Sequence, residues 1–140
     1  MNQIVTTDRV SLALSLFDAF AAGDLGRWQE RLAADFTFSY PGMPDGRGID
    51  AARAYNAPFT AAFADWKIDV RNSAVSGETV FAEITINATH KGALATPAGT
   101  LPATGRRCRV ECVLVSRQRG GRILRESTYW NVPDLLAQIA

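Results

Sequence analysis

The sequence predicts an α+β fold, a curved sheet of antiparallel or mixed strands with helices packed on its concave face. Three observations support this prediction. Apolar residues recur at helical spacing early in the chain, they alternate with polar residues from Trp66 onward, and glycine-containing turns separate the alternating runs. Helices followed by a run of strands indicate helices packed on one face of the sheet. Such layers leave a pocket between them.

Two helices are predicted first. The longer one carries apolar side chains on one face, at Val10, Ala13, Leu14, Phe17 and Phe20. Thr6 or Thr7 is expected to cap its start, and Gly23 ends it. Asp24 then caps a short second helix.

A strand and a third helix follow. The aromatic residues of the strand, between 36 and 40, alternate with Thr37 and Ser39. Asp50 is predicted to cap a helix over 51–64. Pro58 lies inside that helix and is expected to kink it, because the proline ring removes one backbone donor.

The rest of the chain reads as strands with period two, followed by a short helix. Hairpin turns are predicted at Ser76-Gly77 and Gly120-Gly121, and residues 91–105 are predicted to form a loop. On the last strand, one face is predicted to carry Leu124, Glu126, Thr128 and Trp130, and the opposite face Ile123, Arg125, Ser127 and Tyr129.

Length, charge and apolar content limit the classes of protein to which the chain can belong. The 140 residues fit one domain over 1–140, and a net charge of +1 gives no reason to expect nucleic acid or a membrane surface as a partner. No apolar stretch approaches the length of a membrane span. The N-terminus lacks the features of a signal peptide, so a cytoplasmic location is expected.

The two cysteines are interpreted as small core side chains. Cys108 and Cys112 lie on one predicted strand, which separates their Cα atoms by roughly 13 Å. A disulfide cannot bridge that distance. With a single histidine in the chain, no His/Cys metal cluster is predicted.

Seven short motifs follow one another in a defined order. They are YPGMPDGRG (40–48), FADW (63–66), HKG (90–92), PATGR (102–106), GRI (121–123), YW (129–130) and LLAQI (135–139). Each is weak alone, but their order and spacing cover nearly the whole chain. Together they resemble the SnoaL-like polyketide cyclase family of the nuclear transport factor 2-like superfamily.

The resemblance implies a cone-shaped α+β barrel, or cystatin-like roll, that is usually a homodimer through the outer face of its sheet. It also implies chemistry without metal or cofactor. The characterised cyclases close a ring by intramolecular aldol condensation, and an acidic pocket residue handles the proton. Other superfamily members isomerise ketosteroids, hydrolyse epoxides, dehydrate or only bind ligands, so the fold leaves the function open. Many relatives carry Asp where this chain has Asn131.

Glu126 is the first candidate for the catalytic acid or base. If its strand face lines the pocket, desolvation raises the pKa of the carboxyl toward neutral pH, where a general acid or base works best. The alternative is a salt bridge at the rim. Glu83 and Glu111 present the same choice, either as substrate-binding pocket carboxylates or as charge partners across strands.

His90 and Asn131 complete the predicted catalytic set. His90 is the only imidazole, and it either shuttles protons and orients an enolate or fixes a loop by a hydrogen bond. Asn131 precedes Val132-Pro133-Asp134, a pattern typical of a helix N-cap. An additional role in holding a substrate carbonyl stays open, because an amide donates hydrogen bonds but transfers no proton near neutral pH.

Four aromatic residues are candidates for substrate binding, namely Tyr40, Tyr55, Trp66 and Trp130. Their rings suit either the core or a pocket wall. The Tyr40 hydroxyl is also a candidate hydrogen-bond donor to a carbonyl oxygen of the substrate.

The leading functional prediction is a cofactor-independent enzyme that binds a hydrophobic, carbonyl-bearing small molecule. It would abstract a proton next to the carbonyl and then close a ring or isomerise the substrate. One alternative is a non-catalytic protein that binds a small molecule. Another is an epoxide or ester hydrolase, which needs a carboxylate that positions water beside an arginine or histidine.

Overall fold

The computed structural model describes the backbone of residues 2–140 and the side chains of residues 8–140. The elements in chain order are α1 (Asn2–Ala21), α2 (Leu25–Glu30), β1 (Leu32–Ser39), β2 (Gly46–Arg47), α3 (Ile49–Ala62), β3 (Phe63–Ser76), β4 (Thr79–His90), β5 (Leu94–Thr96), β6 (Gly99–Leu101), β7 (Arg107–Arg119), β8 (Arg122–Trp130) and α4 (Val132–Gln138). None of the described helices is both long and apolar enough to cross a membrane.

Six strands form one mixed sheet in the order β2-β1-β8-β7-β4-β3. All neighbours are antiparallel except β1 and β8, which run parallel. One face of the sheet packs against the helices, as the burial of alternate residues on β4 and β7 shows. The predicted α+β fold, with helices on one face of a mixed sheet, is confirmed.

The two N-terminal helices differ in how well their starts were predicted. Helix α1 begins at Asn2, so the cap predicted at Thr6 or Thr7 is wrong in position, and those two side chains lie outside the described ones. The cap of α2 is confirmed, because the carboxylate of Asp24 accepts a hydrogen bond of 3.0 Å from the backbone N–H of Arg27.

Helix α3 begins differently from the prediction. Its N-cap is Gly48, and Asp50 lies in the first turn without serving as the cap. Gly48 has a φ of 94°, a conformation that favours glycine, and its N–H donates to the carbonyl oxygen of Phe36 at 2.7 Å. The chain therefore turns into α3 through a glycine that also ties it to β1. Pro58 lies inside the helix, as predicted.

Both predicted hairpin turns are present, but the predicted loop is not a plain loop. Gly120 and Gly121 have φ values of 60° and 75°, which suits a two-residue turn between twisted strands. Residues 91–105 contain the short strands β5 and β6, which pair with each other apart from the main sheet. Three-residue strands are too short to show a periodic pattern, so the sequence did not reveal them.

A β-bulge on β8 corrects the predicted strand faces. Gln118 pairs with Ile123 and Arg117 pairs with Arg125, so Leu124 is an extra residue in the strand. Ile123 is buried, like Glu126, although the two were predicted on opposite faces of the strand. The bulge shifts the alternation by one position and leaves both Ile123 and Glu126 on the inner side.

Candidate active site

A cavity of about 110 Å³ lies between the helices and the inner face of the sheet. Every helix and the strands β3, β4, β7 and β8 contribute to its wall. Nine of the lining residues are aromatic: Phe17, Phe20, Trp28, Tyr40, Tyr55, Phe59, Phe63, Trp66 and Trp130. Half of the ten remaining lining side chains are aliphatic, and the others are two cysteines, Asn56, Glu126 and Thr128.

The central polar contact of the cavity joins Tyr40 and Glu126. The Tyr40 hydroxyl donates a hydrogen bond of 2.7 Å to Oε1 of Glu126. Tyr40 follows β1 directly, and the parallel pairing of Phe38 with Glu126 and Ser39 with Ser127 brings the end of β1 beside β8. Among the described side chains, Tyr40 is the only hydrogen-bond partner of this carboxylate.

Burial controls the ionisation of this pair. Glu126 is 5% exposed, and desolvation raises its pKa to about 7, while the hydrogen bond from Tyr40 acts in the opposite direction. The pKa of Tyr40 lies well above its usual value, first because of burial and then because of the neighbouring Glu126 charge. Near neutral pH, both protonation states of Glu126 are therefore populated, while Tyr40 keeps its proton.

The other polar groups of the wall are weak acids or neutral. Desolvation raises the pKa of the Cys112 thiol and that of the Tyr55 hydroxyl to about 12 each. The Asn56 amide donates to the carbonyl oxygen of Ala52, and Thr128 presents a hydroxyl. Within residues 8–140, no arginine, lysine or histidine lines the cavity, and no three His, Cys, Asp or Glu side chains are grouped as a metal site.

Three predicted substrate-binding residues also line the cavity besides Tyr40. The Tyr55 hydroxyl donates to the carbonyl oxygen of Pro41 at 2.9 Å, and the indole N–H of Trp66 donates to the carbonyl oxygen of Phe63 at 3.1 Å. Trp130 contributes its ring. These internal bonds fix Tyr55 and Trp66 as parts of the wall.

His90 does not lie at the cavity wall, which corrects its predicted role beside the substrate. It is fully buried at the end of β4, and its Nδ1 lies 3.0 Å from Oγ1 of Thr104 and accepts from the backbone N–H of Thr104 at 3.3 Å. The backbone of His90 also bonds to Gly105 and Arg106. The alternative interpretation therefore fits better, in which His90 fixes the segment that leads into β7.

Asn131 is the N-cap of α4, as one of the two interpretations predicted. Its side-chain oxygen accepts a hydrogen bond of 2.9 Å from the backbone N–H of Asp134. The residue is exposed and does not line the cavity. The expectation that it holds a substrate carbonyl is not supported by this placement.

The structure corrects the expectation that Glu83 and Glu111 line the pocket, since both are exposed on the outer face of the sheet. Glu111 accepts hydrogen bonds from Arg109, Thr85 and Arg71, and these hold the pKa of its carboxyl at about 2. They lie on the outer face because they alternate with inward-facing residues such as Ile84 and Cys112.

Asn56, Cys112 and Thr128 are polar lining residues that sequence reasoning missed as site residues. Thr128 follows Glu126 by two positions, so the period of the strand carried the signal. Asn56 is a single polar side chain in the otherwise apolar stretch AYNAPF of α3, which was also a visible signal. Cys112 was interpreted as a core residue. It lies near Glu126 only because β7 pairs with β8, which the sequence around Cys112 does not indicate.

Comparison with known families now adds to this geometry. Residues 13–126, most of the chain, match the family model of the SnoaL-like domain. The chain belongs to the SnoaL-like domain family. The match includes β1 and most of β8, and therefore both Tyr40 and Glu126.

Solved structures agree with this SnoaL-like fold. A protein from Jannaschia sp. CCS1 described as a SnoaL-like polyketide cyclase has a TM-score of 0.79 at 20% identity, over 96% of this chain and 92% of its own. AclR from Streptomyces galilaeus, described as a hydroxylase, has a TM-score of 0.79 at 21% identity, over 96% and 82%. An LEH-like epoxide hydrolase from M. tuberculosis has a TM-score of 0.70 at 16% identity, over 96% and 90%. Because these identities are low, they show the fold alone.

The SnoaL-like chain has no significant match among the curated proteins.

Proposed function

We propose that this SnoaL-like protein is a small enzyme that transfers protons on a hydrophobic, carbonyl-bearing small molecule without a cofactor. The observation that carries the proposal is the buried Glu126 carboxyl, bonded by Tyr40 in an apolar cavity. A pKa of about 7 is close to the optimum for a general acid or base at neutral pH.

In the proposed reaction, the Glu126 carboxylate takes a proton from the carbon next to a substrate carbonyl. The C–H bond breaks, its electron pair moves toward the carbonyl oxygen, and an enolate forms. In a cyclisation, the enolate carbon then attacks a second carbonyl carbon of the same molecule. The π electrons of that carbonyl move to its oxygen, and the resulting alkoxide takes the proton from Glu126. In an isomerisation, Glu126 returns the proton to a different carbon.

Tyr40 is proposed to hold the carboxylate and leave its second oxygen for the substrate. The single hydroxyl proton of Tyr40 is already donated to Oε1, so the enolate oxygen needs other donors. The Asn56 amide and the Thr128 hydroxyl line the same cavity and are proposed for that role. They replace His90 and Asn131, which the structure places elsewhere.

The cavity favours a small ligand. Its volume of about 110 Å³ holds several waters but lies below the roughly 300–1,000 Å³ that is usual for sites of drug-sized ligands. The aromatic wall suits a flat or ring-shaped apolar body. A compound with one or two small rings therefore fits the proposal better than a large polycyclic one.

The two alternatives receive less support from the cavity. Hydrolysis of an epoxide or ester was expected to need an arginine or histidine beside the carboxylate, and no lining residue within 8–140 is either. Simple binding of an apolar ligand gives no reason to bury a carboxyl group, since burial of an unpaired charge is unfavourable. Acid or base chemistry gives such a reason.

Deuterium exchange tests the proposed function. 1-Indanone, a small cyclic ketone, would be incubated in D₂O, and NMR would follow loss of its α-proton signal. The protein is expected to accelerate the exchange. Glu126→Gln is expected to lower the protein-catalysed exchange rate by at least about 100-fold. Glu111→Gln, a matched change on the outer face, serves as the control. Equal rates for the protein and Glu126→Gln would contradict the proposal.

We further propose that the protein is a cytoplasmic homodimer. Three large apolar side chains are exposed on the outer face of the sheet, at Phe81, Val113 and Tyr129. Val113 and Tyr129 are direct cross-strand partners, so they form a continuous apolar surface that a second copy can cover. The two free, buried cysteines suit a reducing compartment.

A further inference from the structure

The charges around the cavity are unbalanced. Among the described lining residues, Glu126 carries the only carboxyl group, and none has a basic side chain that could neutralise it. The other titratable lining groups are tyrosines and cysteines, which become negative when they ionise. Every possible charge in the wall is therefore negative, and a ligand that enters meets a field that favours a cation.

Aromatic rings strengthen this preference. Tyr40 packs on Tyr55 with ring centroids 4.8 Å apart, Tyr55 packs on Phe59 at 5.7 Å, and Phe59 meets Trp130 edge-on at 5.6 Å. This chain of rings begins at the residue that bonds Glu126. The faces of aromatic rings are electron-rich and attract cations, with Trp the strongest of the three types.

We propose that the natural ligand carries a positive charge, as an organic ammonium group attached to a small apolar body. The ammonium group lies among the aromatic rings, and the Glu126 carboxylate is its counterion. This inference deepens the proposed function, since it assigns a substrate class to the same site. A substrate that contains both an ammonium group and a carbonyl meets both requirements.

Ligand charge and the protonation of Glu126 are coupled in this arrangement. A bound cation stabilises the carboxylate, so binding below about pH 7 releases a proton from Glu126. The titratable groups near Glu126 are Tyr40 next to β1, Tyr55 on α3 and Cys112 on β7, and all three stay protonated across this pH range. The cation also keeps Glu126 ionised and ready to act as a base.

Three compounds of almost equal shape test the proposal: choline is the cation, 3,3-dimethylbutan-1-ol the neutral analogue and 3,3-dimethylbutanoate the anion. Binding is followed by tryptophan fluorescence, because all three tryptophans of the chain line the cavity. At about pH 8, choline is expected to bind at least tenfold more tightly than the neutral alcohol, and the anion is expected to bind most weakly.

Two variants locate the effect. Glu126→Gln is expected to reduce the preference for choline over the alcohol by about tenfold, and lowering the pH to about 5.5 is expected to act in the same direction. Phe59→Leu keeps an apolar side chain but removes one ring, so it should weaken the binding of choline more than the binding of the alcohol. Circular dichroism checks that both variants are folded.

The outcomes are separable from those of the ketone exchange experiment, because equilibrium binding requires no turnover. Equal affinity for choline and the alcohol overturns the cation proposal, as does an unchanged preference in Glu126→Gln or no binding of any of the three compounds. Selective choline binding without ketone exchange supports the cation site and contradicts the proposed function. Ketone exchange without choline selectivity supports the proposed function and contradicts the cation site.

Discussion

The hydroxyl of Tyr40 and the carboxylate of Glu126, 86 positions apart in the chain, meet at 2.7 Å inside an apolar cavity. Parallel pairing of β1 with β8 brings them together. The tyrosine donates and the carboxylate accepts, so the bond stabilises the ionised form of Glu126 against the effect of burial.

Tyr40→Phe is expected to raise the pKa of Glu126 further. A hydrogen bond to a charged group contributes roughly 1.5–3 kcal/mol, so its loss corresponds to about 1–2 pH units. The pH profile of ketone exchange, or the infrared band of the carboxyl group, would show this shift. Tyr55→Phe removes a hydroxyl that bonds only Pro41 and provides the control. An unshifted profile in Tyr40→Phe would show that the bond does not tune Glu126.

Glu126→Gln is expected to make stability less dependent on pH. The folded pKa of about 7 lies above the usual 4.5, so the stability contribution of Glu126 is fully present below about pH 4.5 and is lost as the pH rises through 7. The free energy of unfolding of the variant, relative to that of the natural protein, should therefore rise by up to about 3 kcal/mol between pH 5 and pH 8. Urea denaturation at the two pH values measures this difference.

Glu111→Gln is the matched control for that titration. The pKa of Glu111 is lowered to about 2, so its contribution is present above the unfolded value of 4.5 and is lost only as the pH falls toward 2. Between pH 5 and pH 8 it stays ionised in the folded state and is largely ionised in the unfolded state, so its contribution changes little. A similar pH dependence in both variants would show that burial of Glu126 is not the cause.

Asn131→Ala is expected to destabilise the protein by about 1 kcal/mol, because the cap of α4 is lost. Asn131→Asp should keep the cap and leave ketone exchange unchanged, since the residue is exposed and outside the cavity wall. Thermal denaturation and the exchange assay measure the two effects. Activity that appears only in Asn131→Asp would instead place this position in the chemistry.

Tyr129→Glu is expected to separate the proposed homodimer. Tyr129 is 57% exposed beside Val113 on the outer face, and a charge buried there in a dimer would be unpaired. Light scattering after size-exclusion chromatography would then report a monomer. Asp18→Lys, at an exposed position on α1 and therefore away from the outer face of the sheet, should leave the mass unchanged. If the natural protein is already monomeric, the dimer proposal is wrong.

The sequence predicted most of the fold because each hairpin carries its own signal. The alternation along β4 and β7 and the glycines at 120 and 121 are local features. The parallel contact between β1 and β8 is not local, since no residue near Tyr40 indicates a partner at Glu126. For this reason Tyr40 was expected to donate to a substrate, whereas the structure shows it donating to Glu126.

The predicted catalytic set was built from sequence patterns, which do not give the direction of a side chain. His90 belongs to the HKG motif, and Asn131 opens a helix-cap pattern. His90 lies at the end of β4 and points its Nδ1 at Thr104, and Asn131 turns outward to cap α4. Glu126, Thr128 and Trp130 share the cavity side of β8, as their spacing of two predicted, because all three lie after the bulge.

The extra residue Leu124 has a consequence for the electrostatics of the cavity. Strict alternation from the buried Ile123 would turn Arg125 inward and Glu126 outward, whereas Arg125 now pairs with Asp45 outside. The pocket of this protein is acidic rather than basic because one strand is one residue longer than its partner requires. A change of register at this point, without any substitution, would reverse the sign of the charge that a ligand meets.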